Sequence, residues 1–342
     1  MVEQAAQQAE RQPVNCRLPW HDQAWSRLLQ ARADDRLPHA LLITGIPGVG
    51  KAVLARHLAH VLVCTSPTDS GDPCGQCRSC QLAAVGHHPD IHWYRPEEGS
   101  KVIKVDAVRA LTQSSVLTAG GSGRSVYIVD PADGMNPAAA NALLKTLEEP
   151  AGGAVLILIS ASPDRLPATI RSRCQLVALA APDRESATAW LGEQGMTRPL
   201  AERLLGLYGG APLAALAAAD TDRLAELDAM WTSLERLAEG RGDPVALAAS
   251  WESRDLAELL DWLVLWTLDL LRLQAVPGSP PRFDPAAAER FQNLANRLDC
   301  RNLHGFLDSL YELQRRLSSN LNGLLAMERL LIDWTRLTGR TH

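Results

Sequence analysis

The stretch GIPGVGKA, residues 45–52, decides how the rest of the chain is read. It meets the phosphate-loop pattern G-x-x-x-x-G-K-[ST] at Gly45, Gly50 and Lys51, with Gly48 as a further glycine inside it, and departs at the last position. In such a loop backbone amides cradle phosphate, the lysine reaches the β and γ groups, and the final hydroxyl holds magnesium. Ala52 offers no hydroxyl, so the metal ligand is missing. The context is nevertheless that of a nucleotide fold. ALLIT (Ala40–Thr44) reads as a buried strand before the loop, and the apolar spacing from Lys51 to Val63 reads as a helix after it. A bland glycine turn between strand and helix is the competing reading.

Outward from this unit the first half of the chain alternates apolar runs with helical patterns, the rhythm of a parallel α/β sheet. IHWY (residues 91–94), SVYIVD (125–130), AVLILIS (154–160) and QLVAL (175–179) are the further strands. VDAVRALTQSSVL (105–117) reads as a helix, and Asn136 caps another with Pro137 at its first position. After about residue 180 the period changes and the pattern is helical to the end. Short helices close at Gly195 and Gly209, a third begins near Pro212, and Leu-rich faces such as residues 320–334 read as internal core. The organisation expected is an α/β domain over residues 1–178, a small helical domain over 179–219 and a larger helical domain over 220–342.

The chain has 342 residues, 46% hydrophobic and 21% charged, with a formal net charge of -5. That balance argues against a protein that works mainly by its own grip on DNA. The opening MVEQAAQQAERQ is polar, so no signal peptide is expected, and the apolar run at 256–273 is broken by Glu258, Asp261, Asp269 and Arg272. No membrane association and a cytoplasmic location are expected, where thiols stay reduced and the seven cysteines need a reason other than disulfides.

Four of those cysteines supply one. Cys64, Cys74, Cys77 and Cys80 fall in an insert rich in Gly, Pro, Asp and Ser. Four thiolates with two-residue spacers can close a tetrahedron around zinc, and a closed set leaves no place for water, so the metal would be structural. The insert has few apolar residues, and a metal would stabilise what packing cannot. His87, His88 and His92 are rival ligands, but four cysteines complete the count. Cys16, Cys174 and Cys300 are isolated and read as ordinary small residues.

The second half of a nucleotide site is an acid at the end of a buried strand, and Asp130 after VYIV fits it. An ATPase of this broad type needs a further carboxylate beside that acid, and Pro131 stands there; Asp133 is near in sequence only. With Ala52, this makes hydrolysis unexpected while leaving ATP or ADP binding open. DRLPATIRSRC then places Arg165, Arg171 and Arg173 before the last strand. They read as solvated surface charges, or as an arginine offered in trans to a neighbour's ATP.

Taken in order, LPHALLITGIPGVGK, the four-cysteine insert, HPD at 88–90, VDAVR at 105–109, NALLKTLEEP at 141–150 and LPATIRSRC at 166–174 resemble the bacterial DNA polymerase III clamp-loader family, and within it the delta prime subunits most. The likeness is dense over about residues 15–180 and rests on length and helices beyond. It implies an AAA+ (P-loop NTPase-like) domain, a helical lid and a C-terminal collar. It also implies a place beside motor subunits and a delta subunit in a five-subunit ring that loads the sliding clamp on primed DNA. The delta prime members are the non-hydrolysing ones, and their SRC arginine, matching Arg173 here, points into a neighbouring motor subunit's site. The chain departs from the motor pattern at Ala52, at Pro131, and at Ala211–Pro212, where the motors carry an arginine. The resemblance thus implies no activity of the chain's own within a DNA-directed DNA polymerase (nucleotidyltransferase) holoenzyme. An ATP-hydrolysing motor subunit is the alternative, and a zinc-dependent nucleic-acid binder is disfavoured by the acidic balance.

Overall fold

The structure, a computed structural model, describes residues 17–97, 99–100, 102–115, 124–150, 152–219, 223–278, 281, 288–317 and 322–337. Its contacts group into two compact units, Met1–Asp183 with Ala211–Ala217, and Arg184–Gly210 with Ala218–His342.

The strands of the first unit are β1 (Ala40–Thr44), β2 (Ile91–Tyr94), β3 (Ser125–Val129), β4 (Ala154–Ser160) and β5 (Gln175–Ala178). They form one five-stranded sheet of order β2-β3-β4-β1-β5, parallel throughout. The reason is visible strand by strand. Successive side chains of a strand point to opposite faces, and here both faces meet apolar partners. Leu41 and Ile43, Val126 and Ile128, and Val155, Ile157 and Ile159 enter one core. Ala40 and Leu42, Tyr127 and Val129, and Ala154, Leu156 and Leu158 enter the other. Continuous apolar runs are what a parallel sheet covered on both sides requires. Each Leu, Ile or Val buried this way contributes about 1.5–3 kcal/mol.

The helices of the described residues run in chain order: α1 (Asp22–Ala33), α2 (Lys51–Val63), α3 (Arg78–Ala84), α4 (Val105–Ser115), α5 (Pro137–Glu148), α6 (Ala168–Arg171), α7 (Arg184–Glu193), α8 (Arg198–Leu207), α9 (Pro212–Ala218), α10 (Arg223–Ala238), α11 (Pro244–Ser250), α12 (Leu256–Ala275), α13 (Ala288–Ala295), α14 (Cys300–Arg316) and α15 (Gly323–Thr335). Trp25 and Leu28 of α1 and Leu54, Leu58 and Leu62 of α2 cover the first face of the sheet. Val108 and Leu111 of α4, Leu143 and Leu147 of α5 and Ile170 of α6 cover the second. The cap expected at Asn136 is formed, its side-chain oxygen accepting the Ala139 N–H at 2.8 Å. The expected α4 pattern ran to residue 117; the helix is described to Ser115, and residues 116–117 lie outside the described residues.

The second unit is helical, with no strand among its described residues. Its centre is aromatic: Trp231 stacks on Phe291 at 4.0 Å and meets Trp266 edge-on at 5.3 Å, while Phe306 meets Trp334 at 5.4 Å. The indole N–H of Trp334 donates to the carbonyl of Leu234 at 2.9 Å, which satisfies a buried donor. The leucine-rich face expected to be internal is so in α15, whose Met327, Leu330, Leu331 and Trp334 are buried. Among the described residues no helix is long and apolar enough to cross a membrane.

Candidate functional site

β1 lies between β4 and β5, and the glycine loop leaves its C-terminal end. In open parallel sheets that is the end where ligands bind. The loop is tightly boxed. A Cβ on Gly45 would stand 2.6 Å from the carbonyl oxygen of Leu179, one on Gly48 would stand 2.4 Å from the Cβ of Ala214, and one on Gly50 would stand 2.5 Å from Leu18. Gly48 at φ +78° and Gly50 at φ +95° also hold a backbone that side chains resist.

The chain's own groups occupy the loop's carbonyls. Lys51 is only 9% exposed, and its Nζ donates to the carbonyls of Gly45 at 2.8 Å and Ile46 at 2.9 Å. Burial pulls its pKa down to about 8 against the attraction of Asp130 and Asp133. Trp20 Nε1 and His21 Nε2 both donate to the carbonyl of Val49, at 2.8 and 3.2 Å. The N–H of Leu213 in α9 donates to the carbonyl of Gly48 at 3.1 Å. Thus α9 meets the loop with Leu213 and Ala214, which carry no charge. Asp130 follows β3 as expected, and its carboxylate lies 3.8 Å from Arg95 Nε. Asp133 is turned to another task, its Oδ1 accepting the Ala161 N–H at 3.3 Å.

The four cysteines of the insert come together. Cys64 ends α2, Cys77 caps α3, Cys80 sits inside it and Cys74 precedes both. Their sulfurs all lie within 4.8 Å of one another, with Cys64–Cys77 at 4.0 Å and Cys74–Cys80 at 3.9 Å. Bonds of about 2.3 Å from a tetrahedral zinc give sulfur–sulfur edges of about 3.8 Å, whereas a disulfide needs about 2.05 Å. The set therefore fits a metal ion. Backbone N–H groups of Cys74, Cys77 and Cys80 donate to the sulfurs of Cys64, Cys74 and Cys77 at 3.3–3.4 Å, which favours thiolates. Burial opposes ionisation of Cys77, yet the N–H of Cys80 and the hydroxyl and N–H of Thr65 outweigh it and bring the thiol down to about 6. Asp72 docks the insert on the helices, its Oδ1 lying 3.0 Å from His57 Nε2. The rival histidines are elsewhere: His88 Nδ1 accepts the Asp90 N–H, and His92 stacks on Tyr127 at 4.9 Å.

The arginines surround α6. Leu166 and Ile170 are buried and fix this short helix to the core. Arg171 pairs with Asp164 at 3.0 Å. Arg173 donates from Nη1 to the Thr169 carbonyl at 3.0 Å and from Nη2 to Glu148 Oε1 at 2.6 Å, with its side chain 36% exposed. Cys174 is half-buried, and burial pushes its thiol up to about 11. Among the remaining isolated cysteines Cys300 is exposed, and Cys16 lies outside the described residues.

Two family profiles match the chain: "DNA polymerase III, delta subunit" over residues 20–183 and "DNA polymerase III, delta subunit, C terminal" over residues 221–336. The DNA polymerase III subunit delta' of Pseudomonas aeruginosa is 38% identical over 94% of this chain and 98% of that protein. The chain belongs to the DNA polymerase III delta prime family. The Escherichia coli subunit delta' is a second relative, 34% identical over 88% of this chain and 89% of its own length. Among solved structures, a DNA polymerase III gamma subunit-related protein from Thermotoga maritima aligns over 91% of this chain and 99% of its own at 18% identity, with a TM-score of 0.40.

In this delta prime chain the residues singled out from sequence fall into the loop, the cysteine cluster and the arginine turn. Sequence reasoning missed the residues that engage them: Trp20, His21, Leu213 and Ala214 at the loop, His57 and Asp72 at the insert, and Glu148 at Arg173. Glu148 stood inside the quoted NALLKTLEEP, but nothing local marks it as the partner of a side chain 25 positions later.

Proposed function

We propose that this chain is the non-hydrolysing delta prime subunit of a DNA polymerase III clamp loader, acting in a five-subunit ring with motor subunits and a delta subunit. The ring loads the sliding clamp on primed DNA in the cytoplasm, and this chain meets clamp and DNA through the complex. Three domains divide the work: an ATPase-like domain to residue 178, a lid over 179–219 and a collar over 220–342. Zinc holds the four cysteines as a structural ion and supplies no chemistry. Arg173 is offered to a neighbouring motor subunit, where its charge stabilises the transferring phosphoryl group.

The observation that carries this reading is the contrast between the chain's two phosphate-seeking cations. Lys51 is buried and bonded to its own loop, in a site that lacks a magnesium hydroxyl at Ala52 and a second acid at Pro131. Arg173 stands at the surface on a turn fixed to the core. The test is ATP turnover by the reconstituted loader with clamp and primed DNA. Arg173→Ala is expected to lower turnover by about 10³-fold or more at the site it serves, and Lys51→Ala to change it little. Damage from Lys51→Ala instead would make the chain a motor subunit.

A further inference from the structure

Arg173 is held, and among the described residues the side chain of Glu148 meets no other cation. Glu148 is the last residue of α5. A carboxylate there faces the negative end of the helix dipole, so the position is unfavourable unless a cation answers it. Arg173 answers it at 2.6 Å. The other anchor is the Thr169 carbonyl at 3.0 Å, from the turn that carries the arginine itself. Both anchors belong to elements rooted in the same core, α5 through Leu143 and Leu147 and α6 through Ile170. One N–H of each terminal nitrogen is engaged, and a guanidinium has five N–H donors in a rigid fork. Among the described residues no partner is seen for the second N–H of each terminal nitrogen or for the Nε–H, and these three donors suit a planar or tetrahedral anion.

We infer that Glu148 is a positioning residue for Arg173. It fixes the guanidinium in one orientation before a neighbour's nucleotide arrives, so that less side-chain freedom is lost on meeting a phosphoryl group. The inference rests on the reading of Arg173 given above. Its rival is that Glu148 acts as a competing anion, from which Arg173 must be pulled away.

The experiment is turnover by the assembled loader carrying Glu148→Gln, Glu148→Ala, Arg173→Ala or Glu148→Ala with Arg173→Ala, with assembly checked by size-exclusion chromatography. Glu148→Gln keeps an acceptor oxygen in place without charge. Positioning predicts kcat near wild type for Gln, a loss of about two- to fivefold for Ala, an unchanged KM for ATP, and no further loss from Ala once Arg173 is gone. Faster turnover in the order Ala, Gln, wild type overturns the inference in favour of competition. Equal turnover of wild type and Glu148→Ala, with Arg173→Ala still damaging, overturns it while sparing the role of Arg173. An Arg173→Ala loader as active as wild type removes both.

Discussion

The ammonium of Lys51 lies 2.8 Å from the carbonyl oxygen of Gly45, so the cation of the phosphate loop is bonded to the loop it would serve. A nucleotide entering here has to displace that bond and the neighbouring one to Ile46. It would then find Ala52 where the magnesium ligand belongs.

Any stabilisation of the isolated chain by ATP should therefore be indifferent to magnesium. Thermal melts with ATP plus magnesium and ATP plus chelator are expected to coincide within about 1 °C, and Ala52→Thr should separate them. A melting shift in the unmodified chain that appears only with magnesium would contradict the geometry.

Gly48→Ala is expected to destabilise the first unit by about 2–4 kcal/mol, combining a positive φ with overpacking. The added methyl would meet Ala214 at 2.4 Å. Ala214→Gly in the same chain should return only the share owed to the Ala214 methyl, because the added group would still stand 2.7 Å from the Ala214 backbone nitrogen; denaturant unfolding of the single and double variants measures that share. A Gly48→Ala cost of only about 1 kcal/mol, the backbone part alone, would mean that α9 does not rest on the loop in solution.

His21 is fully buried, and its pKa falls from 6.5 to about 4, chiefly through desolvation, with the hydrogen bond to Val49 opposing it. Between those values the unfolded chain binds the proton and the folded chain does not. Its contribution is harmless above about pH 6.5, grows unfavourable as pH falls, and is complete below about pH 4. Wild type should thus lose of order 2–3 kcal/mol more than His21→Gln between neutral pH and pH 4. Parallel pH–stability curves for the two proteins would refute the buried, neutral imidazole.

Purified protein is expected to carry about one zinc per chain at the four cysteines. Chelation or Cys80→Ser should lower stability by about 2 kcal/mol or more, roughly 5 °C for a unit of this size. The test pairs metal analysis with thiol titration. Metal-free protein with four freely reactive thiols would exclude the zinc site.

The sheet was legible in the sequence because β1, β3 and β4 are apolar on both faces, a pattern that survives without knowledge of neighbours. The cysteine cluster was legible because spacing alone constrains four thiols. What could not be read were contacts between residues far apart in sequence with no periodicity to announce them. Trp20 reaches Val49 across 29 positions, and Arg173 reaches Glu148 across 25. His92 shows the converse. Its place near the insert made it a rival ligand, yet its ring lies on Tyr127, because a strand residue faces whatever its register selects.

The boxed glycines carry a consequence for descent. Gly45, Gly48 and Gly50 are each pressed by a different segment: Leu179 just after β5, Ala214 of α9, and Leu18 with His21 just before α1. Selection for a folded domain is enough to keep all three, whether or not a phosphate ever enters. Ala52 is held differently, half-buried against the first core and in ordinary helical backbone. The signature of a nucleotide site is therefore also the mark of a joint between three segments, and the joint alone is a reason for the glycines to stay.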